Sequence, residues 1–351
     1  MRQFLFFVVI ACGAPAAVAG DLTISKVYGP ELPNKYKHPA SITQLDNGDL
    51  FLVYYGGDGE YADDTAVYGG RLAKGSNTWT EPVELANTPH RTDGNGVVWQ
   101  APDGDVYLFY VVRFGDTWSS SRIKYKISHD GAKTWTDSRL LTLEEGMMVQ
   151  GRPFALSNGD YMLPAYCERG NDREIVGPDS TSLFYRFDPK TKTWSESERI
   201  KSPNGNIQPA GAEIEKNYVV AYCRRGGGYG PDEKGYIVRS ESHDGGQTWS
   251  EGRNSEFPNP NAAMDFLKLQ SGNLLLVYND SMNSRVPLAV ALSTDMDKTY
   301  PYRNVIMGSP HVDLGYPYAI QTRDGKIHVI FTERRTQIYH AVFDEDWVMQ
   351  K

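Results

Sequence analysis

The chain has 351 residues, a length that suits one large domain or two smaller ones. Its formal net charge is −8, so it has no electrostatic reason to bind nucleic acid or an anionic surface, and we expect no nucleic-acid partner. The seven histidines show no spacing typical of metal ligands. The sequence therefore predicts neither a metal site nor a cofactor.

The first 19 residues are predicted to be an export signal. Arg2 precedes an apolar run over residues 4–11, which is too short to span a bilayer. Small residues at 17–19 offer a cleavage site, which would leave residues 20–351 as a single mature domain in the periplasm or outside the cell. Alternatively, residues 9–12 resemble a lipoprotein box in which Cys12 would carry a lipid anchor. No later run predicts a membrane span.

Two near-identical segments, at residues 128–135 and 242–249, reveal an internal repeat. They read Ser-His-Asp-Gly-Ala-Lys-Thr-Trp and Ser-His-Asp-Gly-Gly-Gln-Thr-Trp. Counting three eroded copies and a last aromatic, the closing residues of six units are Trp79, Trp135, Trp194, Trp249, Tyr300 and Trp347. A repeat of this period predicts propeller blades or stacked modules.

Each unit also contains a tight turn followed by alternating apolar residues. Asn47-Gly48 and Asp103-Gly104 are the first two such turns, and glycine there supplies the positive φ of a hairpin. Each unit is therefore predicted to hold a hairpin, a third strand, the Asp-containing turn and a fourth strand. Residues 21–28 are placed to complete the last blade. The sequence thus predicts an all-β chain folded as a six-bladed β-propeller of four-stranded blades, with a solenoid as the competing architecture.

Two cysteines remain after the N-terminal segment, Cys167 and Cys223, each preceded by a tyrosine at the same place in its repeat. An exported protein could join them in a disulfide. We expect instead two small buried thiols on neighbouring blades.

The Asp-containing turn is predicted to be structural. It recurs in five of the repeats, although the motif is matched less completely in some of them, whereas a catalytic group is needed only once.

Polar residues occupy the positions where inner strands begin and second strands end, which meet at one mouth of a propeller channel. The first set is His38, Asn95, Arg152, Gln208, Asn261 and Tyr316. The second set is Glu60, Arg113, Glu168 with Arg169, Arg224 with Arg225, Asn279 with Asp280, and Glu333 with Arg334. Polar side chains in all these positions are unusual for a packed core. The alternative to a binding site is a structural ring of salt bridges.

The Asp-containing turn on a six-fold repeat resembles the Asp box of the sialidase (neuraminidase) superfamily, in its bacterial BNR-repeat branch, over residues 22–348. The resemblance implies an exo-α-sialidase-type hydrolase that acts on a terminal, acidic sugar of a glycan. Members of that superfamily hold the substrate carboxylate with three arginines, attack with a tyrosine that a glutamate activates, and protonate the leaving group with an aspartic acid. We also expect a monomer.

Several residues match that pattern. Tyr316, eight residues before Asp324-Gly325, matches the nucleophile. Arg224 and Arg285 match the second and third arginines, and Arg152 is expected to assist them. The loop of residues 57–64 takes the place of the general acid, with Asp63 and Glu60 as the two candidates. Arg113, Asn261 and Asp280 are expected to contact the substrate.

Two positions depart from the family pattern. His38 stands where the first arginine is expected, and an imidazole offers far fewer donors to a carboxylate than a guanidinium fork. Gln208 stands where the activating glutamate is expected, and an amide cannot take a proton from tyrosine. Two alternatives therefore stay open beside the hydrolase. One is a polysaccharide lyase or uronate-acting enzyme using His38 and Tyr316, and the other is a non-catalytic glycan-binding propeller.

Overall fold

The computed structural model describes residues 20–32, 34–173, 175–228, 232 and 234–350. The predicted export signal and the alternative lipid anchor at Cys12 lie outside these residues. The described residues form six antiparallel sheets, each with four strands or, in one case, four strands and a fragment. The six-bladed β-propeller predicted from the repeat is confirmed. No helix in the described part of the chain is long and apolar enough to cross a membrane.

The first three blades follow one another along the chain. Blade 1 comprises β2 Tyr36–Gln44, β3 Leu50–Gly57, β4 Ala66–Leu72 and β5 Val83–Ala86. Blade 2 comprises β6 Thr92–Gln100, β7 Val106–Arg113, β8 Ser121–Ser128 and β9 Arg139–Leu140. Blade 3 has a divided inner strand and comprises β10 Met147–Val149, β11 Phe154–Ala155, β12 Tyr161–Cys167, β13 Thr181–Asp188 and β14 Thr193–Glu196.

The other three blades complete the ring. Blade 4 comprises β15 Asn206–Glu215, β16 Tyr218–Arg225, β17 Tyr236–Ser242 and β18 Arg253–Pro258. Blade 5 comprises β19 Asp265–Lys268, β20 Leu274–Asn279, β21 Leu288–Ser293 and β22 Tyr302–Met307. Blade 6 comprises β23 Leu314–Gln321, β24 Ile327–Glu333, β25 Gln337–Phe343 and, from the N-terminal side, β1 Thr23–Tyr28.

Blade 6 is built from both ends of the described chain. β1 pairs antiparallel with β25, with Thr23 opposite Val342 and Ile24 opposite Ala341. The inner strand of blade 1, β2, contacts the inner strand of blade 6, β23, so the array closes on itself. A closed ring leaves no open end for a solenoid cap, and the prediction that residues 21–28 complete the last blade is confirmed.

The Asp-containing turns are local hydrogen-bonded structures. In the turn of blade 4, the Asp244 carboxylate accepts bonds from the backbone N–H and the hydroxyl of Thr248, the latter over 2.6 Å. Ser242 donates to the same carboxylate over 2.7 Å. The turns at Asp130 and Asp295 repeat this arrangement. The predicted structural role of the turn is therefore supported by its geometry.

The cysteines and the last aromatic of the repeat can be compared with the sequence predictions. Cys167 and Cys223 are both free and buried, as expected. Trp347, which the repeat placed as the closing aromatic of a sixth unit, lies instead in the short helix α1, Glu345–Met349, and packs on Phe343 with ring centroids 4.6 Å apart. A helix follows here because the fourth strand of this blade is supplied by β1.

Candidate functional site

Bulged inner strands direct side chains into one mouth of the channel. Asn95, Gln208 and Tyr316 have positive φ angles of 45°, 53° and 53°, and each lies at a break in strand register. A β-bulge bends the strand and re-aims the side chain, and a positive φ in a non-glycine residue costs on the order of 1–3 kcal/mol. The backbone is therefore strained at Asn95, Gln208 and Tyr316, all of which the sequence predicted as polar residues of the channel mouth. In blade 1 the same place holds His38, joined to Pro39 by a cis peptide bond.

These side chains line a cavity with about 450 Å³ of empty space, part of it open to solvent. Polar and aromatic groups dominate its wall. They are His38, Tyr55, Glu60, Tyr61, Asn95, Trp118, Tyr166, Glu168, Arg173, Gln208, Arg224 and Tyr316. Four of the predicted catalytic residues, Tyr316, Glu60, His38 and Gln208, are brought together here, with Arg224 among the predicted substrate-binding residues.

The phenol oxygen of Tyr316 is held by two nitrogen donors. Arg224 donates from Nη1 over 2.9 Å, and Gln208 donates from Nε2 over 3.2 Å. The orientation of the Gln208 amide follows from its neighbour: Arg224 Nη1 lies 3.1 Å from Oε1, and a guanidinium can only donate. Both donors can stabilise negative charge on the Tyr316 oxygen.

Arg224 and Arg285 are fixed through Asn261. The Asn261 side-chain oxygen accepts from Arg224 Nε over 2.6 Å, and its backbone oxygen accepts from Arg285 Nη2 over 3.3 Å. The Arg285 guanidinium lies 5.6 Å from the centre of the Tyr316 ring and forms an ion pair with Asp313 over 3.6 Å. Asn261 is fully buried and does not line the cavity, so it positions the arginines. Two guanidinium groups thus surround one tyrosine.

His38 is buried and neutral. Burial, followed by the positive charges of Arg335, Arg285 and Arg224, lowers its pKa well below the usual value. His38 Nδ1 lies 2.6 Å from the Thr332 hydroxyl, which donates to the Gly315 carbonyl over 3.3 Å. In the tautomer that lets the Thr332 hydroxyl donate to Gly315, His38 Nδ1 carries the proton and Nε2 keeps its lone pair.

The two candidate acids have different surroundings. Glu60 lines the cavity, accepts a hydrogen bond from Trp118 Nε1 over 3.2 Å and forms an ion pair with Arg335 over 2.6 Å. Asp63 is exposed and is not among the residues that line the cavity. Of the pair that the sequence left open, only Glu60 therefore faces Tyr316.

Glu168 and Arg335 belong to the site but were given no role by sequence reasoning. Glu168 lines the cavity directly after strand β12, and desolvation raises its pKa to about 7. Arg335 follows the end of β24, and its backbone oxygen accepts from the Lys37 N–H over 2.8 Å, next to His38. Glu168 had a usable signal, since it lies at the end of a second strand, within one residue of the strand's last position, as Arg224 does. Arg335 directly follows Arg334, the last residue of the second set of polar residues in the sequence.

Three predicted substrate contacts lie elsewhere. Arg152 lines a different cavity, formed by the far ends of the inner strands around Gln44 and Gln100. Residues 150–153 interrupt the inner strand of blade 3 between β10 and β11, so Arg152 lies two residues before β11, whereas Met148 lines the cavity of Tyr316. Arg113 donates to the Thr92 hydroxyl over 2.7 Å and to the Tyr61 carbonyl over 2.8 Å, which holds the loop that carries Glu60.

Asp280, the third of these residues, is exposed and does not line the cavity. Its backbone N–H donates to the Pro287 carbonyl over 3.1 Å, which ties the end of blade 5 to the segment after Arg285. Asp280 therefore helps to hold the loop that carries Arg285.

Comparison with known proteins gives a consistent picture of the fold. A family model described as a BNR repeat-like domain matches residues 48–329. No curated protein matches the sequence. Among solved structures, the chain is similar to the Hadza microbial sialidase Hz136, with a TM-score of 0.78 and 14% identity over 93% of this chain and 69% of that one.

Two further solved structures extend the comparison. The NanB sialidase from Streptococcus pneumoniae has a TM-score of 0.75 and 12% identity, over 93% of this chain and 71% of that one. The intramolecular trans-sialidase from Ruminococcus gnavus has a TM-score of 0.74 and 13% identity, over 93% and 98% of the two chains. At such identities the likeness shows the propeller fold, and the chemistry has to be argued from the side chains.

Proposed function

Since the chain belongs to the family of BNR repeat-like domains and resembles the sialidase superfamily in sequence and in fold, we propose that it is an exported exo-glycosidase that removes a terminal, acidic sugar from a glycan. One observation carries the proposal. The Tyr316 oxygen lies in a polar cavity, held by Arg224 over 2.9 Å and by Gln208 over 3.2 Å. One hydrogen-bond partner is enough to satisfy a tyrosine hydroxyl in a protein core. Two donors on a hydroxyl at a cavity wall therefore suggest a role in binding or catalysis.

Each group has a task in this reaction. Arg224 and Arg285 supply positive charge for an acidic substituent of the sugar. Tyr316 attacks or stabilises the anomeric carbon, and the two donors on its oxygen favour the charge that develops there. A cavity-lining carboxyl group protonates the leaving oxygen. His38 fills the place of the family's first arginine and adds no charge, since burial, together with the charges of three arginines, lowers its pKa.

One observation favours a second candidate. His38 lines the same cavity as Tyr316, and in the tautomer that donates from Nδ1 to Thr332 its Nε2 is unprotonated. A neutral imidazole can take the proton beside a uronate carboxylate, and a tyrosine can protonate the leaving oxygen, which together make a lyase. This reaction differs from hydrolysis in its product, because elimination leaves a carbon–carbon double bond in the sugar.

A panel of substrates tests both candidates. The purified protein is incubated with aryl sialosides, aryl uronides and acidic polysaccharides, and the products are identified by mass. Hydrolysis adds water to the released sugar, whereas elimination gives an unsaturated product that absorbs in the near ultraviolet. Tyr316→Phe should abolish either reaction. The matched control is Tyr339→Phe in the same blade, whose hydroxyl donates to the Gln337 side chain over 3.4 Å and does not line the cavity of Tyr316. Binding to a glycan array without turnover would instead indicate a non-catalytic propeller.

A further inference from the structure

We propose that Glu168, and not Glu60, is the carboxyl group that donates the proton to the glycosidic oxygen. This inference rests on the glycosidase function proposed above. It names a residue outside the loop of residues 57–64, where the resemblance places the general acid.

Position in the fold gives the first support. Glu168 directly follows strand β12 of blade 3, Arg224 is the last residue but one of strand β16 of blade 4, and both line the cavity that holds Tyr316. Its backbone N–H donates to the Gly146 carbonyl over 2.8 Å, which anchors the residue at the mouth. The side chain makes no hydrogen bond or ion pair with the part of the chain that the structure describes. A carboxyl group that forms no hydrogen bond with the described residues and lines a polar cavity is available to a substrate.

Unlike Glu168, Glu60 forms an ion pair and a hydrogen bond with neighbouring side chains. Its Oε2 lies 2.6 Å from Arg335 Nη1, and its Oε1 accepts from Trp118 Nε1 over 3.2 Å. An ion pair with a guanidinium stabilises the carboxylate form, because arginine stays protonated throughout the physiological range. Both Glu60 oxygens therefore already have protein partners.

The charge state of Glu168 agrees with its geometry. Glu168 keeps some exposed surface, yet the surrounding protein desolvates the carboxyl group and raises its pKa to about 7. The nearby Glu60 charge acts in the same direction, and Arg224 opposes it. Two carboxyl groups in one cavity, one paired with a guanidinium and one with a pKa raised to about 7, have the different surroundings that separate acid and base roles in other glycosidases.

The proposed step balances. The Glu168 proton passes to the glycosidic oxygen while the bond from that oxygen to the anomeric carbon breaks, and the leaving group departs as a neutral alcohol. Tyr316 faces the electron-deficient anomeric carbon. Water then adds to this carbon and returns a proton to the Glu168 carboxylate, which restores the enzyme.

Leaving-group dependence separates an acid from a structural residue. Glu168→Gln is compared with wild type on an alkyl-linked sialoside, whose leaving group needs protonation, and on a nitrophenyl sialoside, whose leaving group does not. We expect a loss in kcat of about 10²- to 10⁴-fold on the alkyl substrate and a much smaller loss on the nitrophenyl one. Glu168→Asp should retain part of the alkyl activity. The control is Glu145→Gln, whose exposed side chain forms one ion pair with Arg122 over 3.9 Å.

Other outcomes would overturn the inference. Equal losses on both substrates would mean that Glu168 supports the fold, and a leaving-group-dependent loss in Glu60→Gln would return the role to Glu60. Infrared difference spectra keep the test independent of turnover. Wild-type protein at neutral pH should show a protonated-carboxyl band that Glu168→Gln removes and Glu60→Gln keeps. If wild type hydrolyses neither substrate, the proposed function falls, and a missing band would contradict the Glu168 assignment by itself.

Discussion

The phenol oxygen of Tyr316 accepts a hydrogen bond from Arg224 Nη1 over 2.9 Å, and the same nitrogen lies 3.1 Å from Gln208 Oε1. The arginine therefore orients the amide and the phenol together. In the family pattern a glutamate in the place of Gln208 would accept the tyrosine proton. Here the tyrosine oxygen receives two donors instead, so any activation of Tyr316 comes from stabilising its negative charge and not from an adjacent base.

Replacing Gln208 with glutamate tests this difference. Gln208→Glu keeps the shape, provides an acceptor for the Tyr316 hydroxyl and retains the contact with Arg224. We expect turnover of an aryl sialoside to rise by roughly 10- to 100-fold, because a positioned base contributes at least that much. Steady-state kinetics would check it, with Gln208→Asn as the comparison, which keeps an amide but shortens its reach. Unchanged kcat in a folded Gln208→Glu variant would show that Tyr316 needs no base.

Replacing His38 with the arginine of the family pattern should destabilise the protein. His38 is 3% exposed, and the charges of three arginines already act on it. A fourth guanidinium would be buried without a carboxylate partner, so His38→Arg should lower the free energy of unfolding by on the order of 3 kcal/mol. Urea denaturation measures the change. His129→Arg is the control, since that side chain is 64% exposed and pairs with Asp105 over 2.6 Å. A stable His38→Arg protein with higher activity would contradict this account.

A buried histidine pair predicts acid sensitivity. His328 and His340 share a 2.9 Å contact, and burial lowers their pKa values to about 4 and about 3. Their folded-state pKa values lie below the unfolded value, so the stability they contribute is present above pH ~6.5 and is lost as pH falls towards 4. For His328 alone the loss amounts to about 3 kcal/mol.

The measurement is the free energy of unfolding as a function of pH. Wild type should lose stability steeply between pH ~6.5 and 4, and a His328→Gln, His340→Gln double variant should show a flatter slope. His243→Gln serves as control, because its side chain is 71% exposed. Parallel slopes for the double variant and wild type would mean that other groups set the acid limit.

Removing one Asp-box carboxylate should affect stability without affecting activity. Although partial desolvation opposes it, hydrogen bonds from Thr248 and Ser242 lower the Asp244 pKa to about 2. Asp244→Ala leaves those donors unpaired, so we expect a loss of about 1–3 kcal/mol in the free energy of unfolding. Chemical denaturation would check it, with Asp137→Ala at an exposed position as the control. A fall in kcat without a loss of stability would place this turn in the chemistry.

Local signals made the architecture predictable. The Asp-containing turns and the glycine hairpins act within a few residues, so their recurrence located the blades, and the closing strand β1 followed from what remained. The repeat did not place every residue. Residues 150–153 interrupt the inner strand of blade 3, and Arg152 lies at the opposite mouth of the channel. Trp347 lies in a helix because β1 supplies the last strand.

The site was harder to predict because it depends on contacts between blades. The positive φ angles of Gln208 and Tyr316 leave no signature in residue type, since neither is a residue that favours that region. The ion pair of Glu60 with Arg335 joins blades 1 and 6, and no spacing in the sequence indicates it. The isolation of the Glu168 carboxyl group likewise depends on which partners the fold brings near, and that requires three-dimensional contacts.

The most direct test of the account is the release of an aryl group from an aryl sialoside by wild type, Tyr316→Phe and Tyr339→Phe proteins at equal concentration. We predict release by wild type and by Tyr339→Phe and none by Tyr316→Phe, with all three equally stable. Release by Tyr316→Phe at the wild-type rate would contradict the claim that this cavity, with Tyr316 at its centre, is a glycosidase active site.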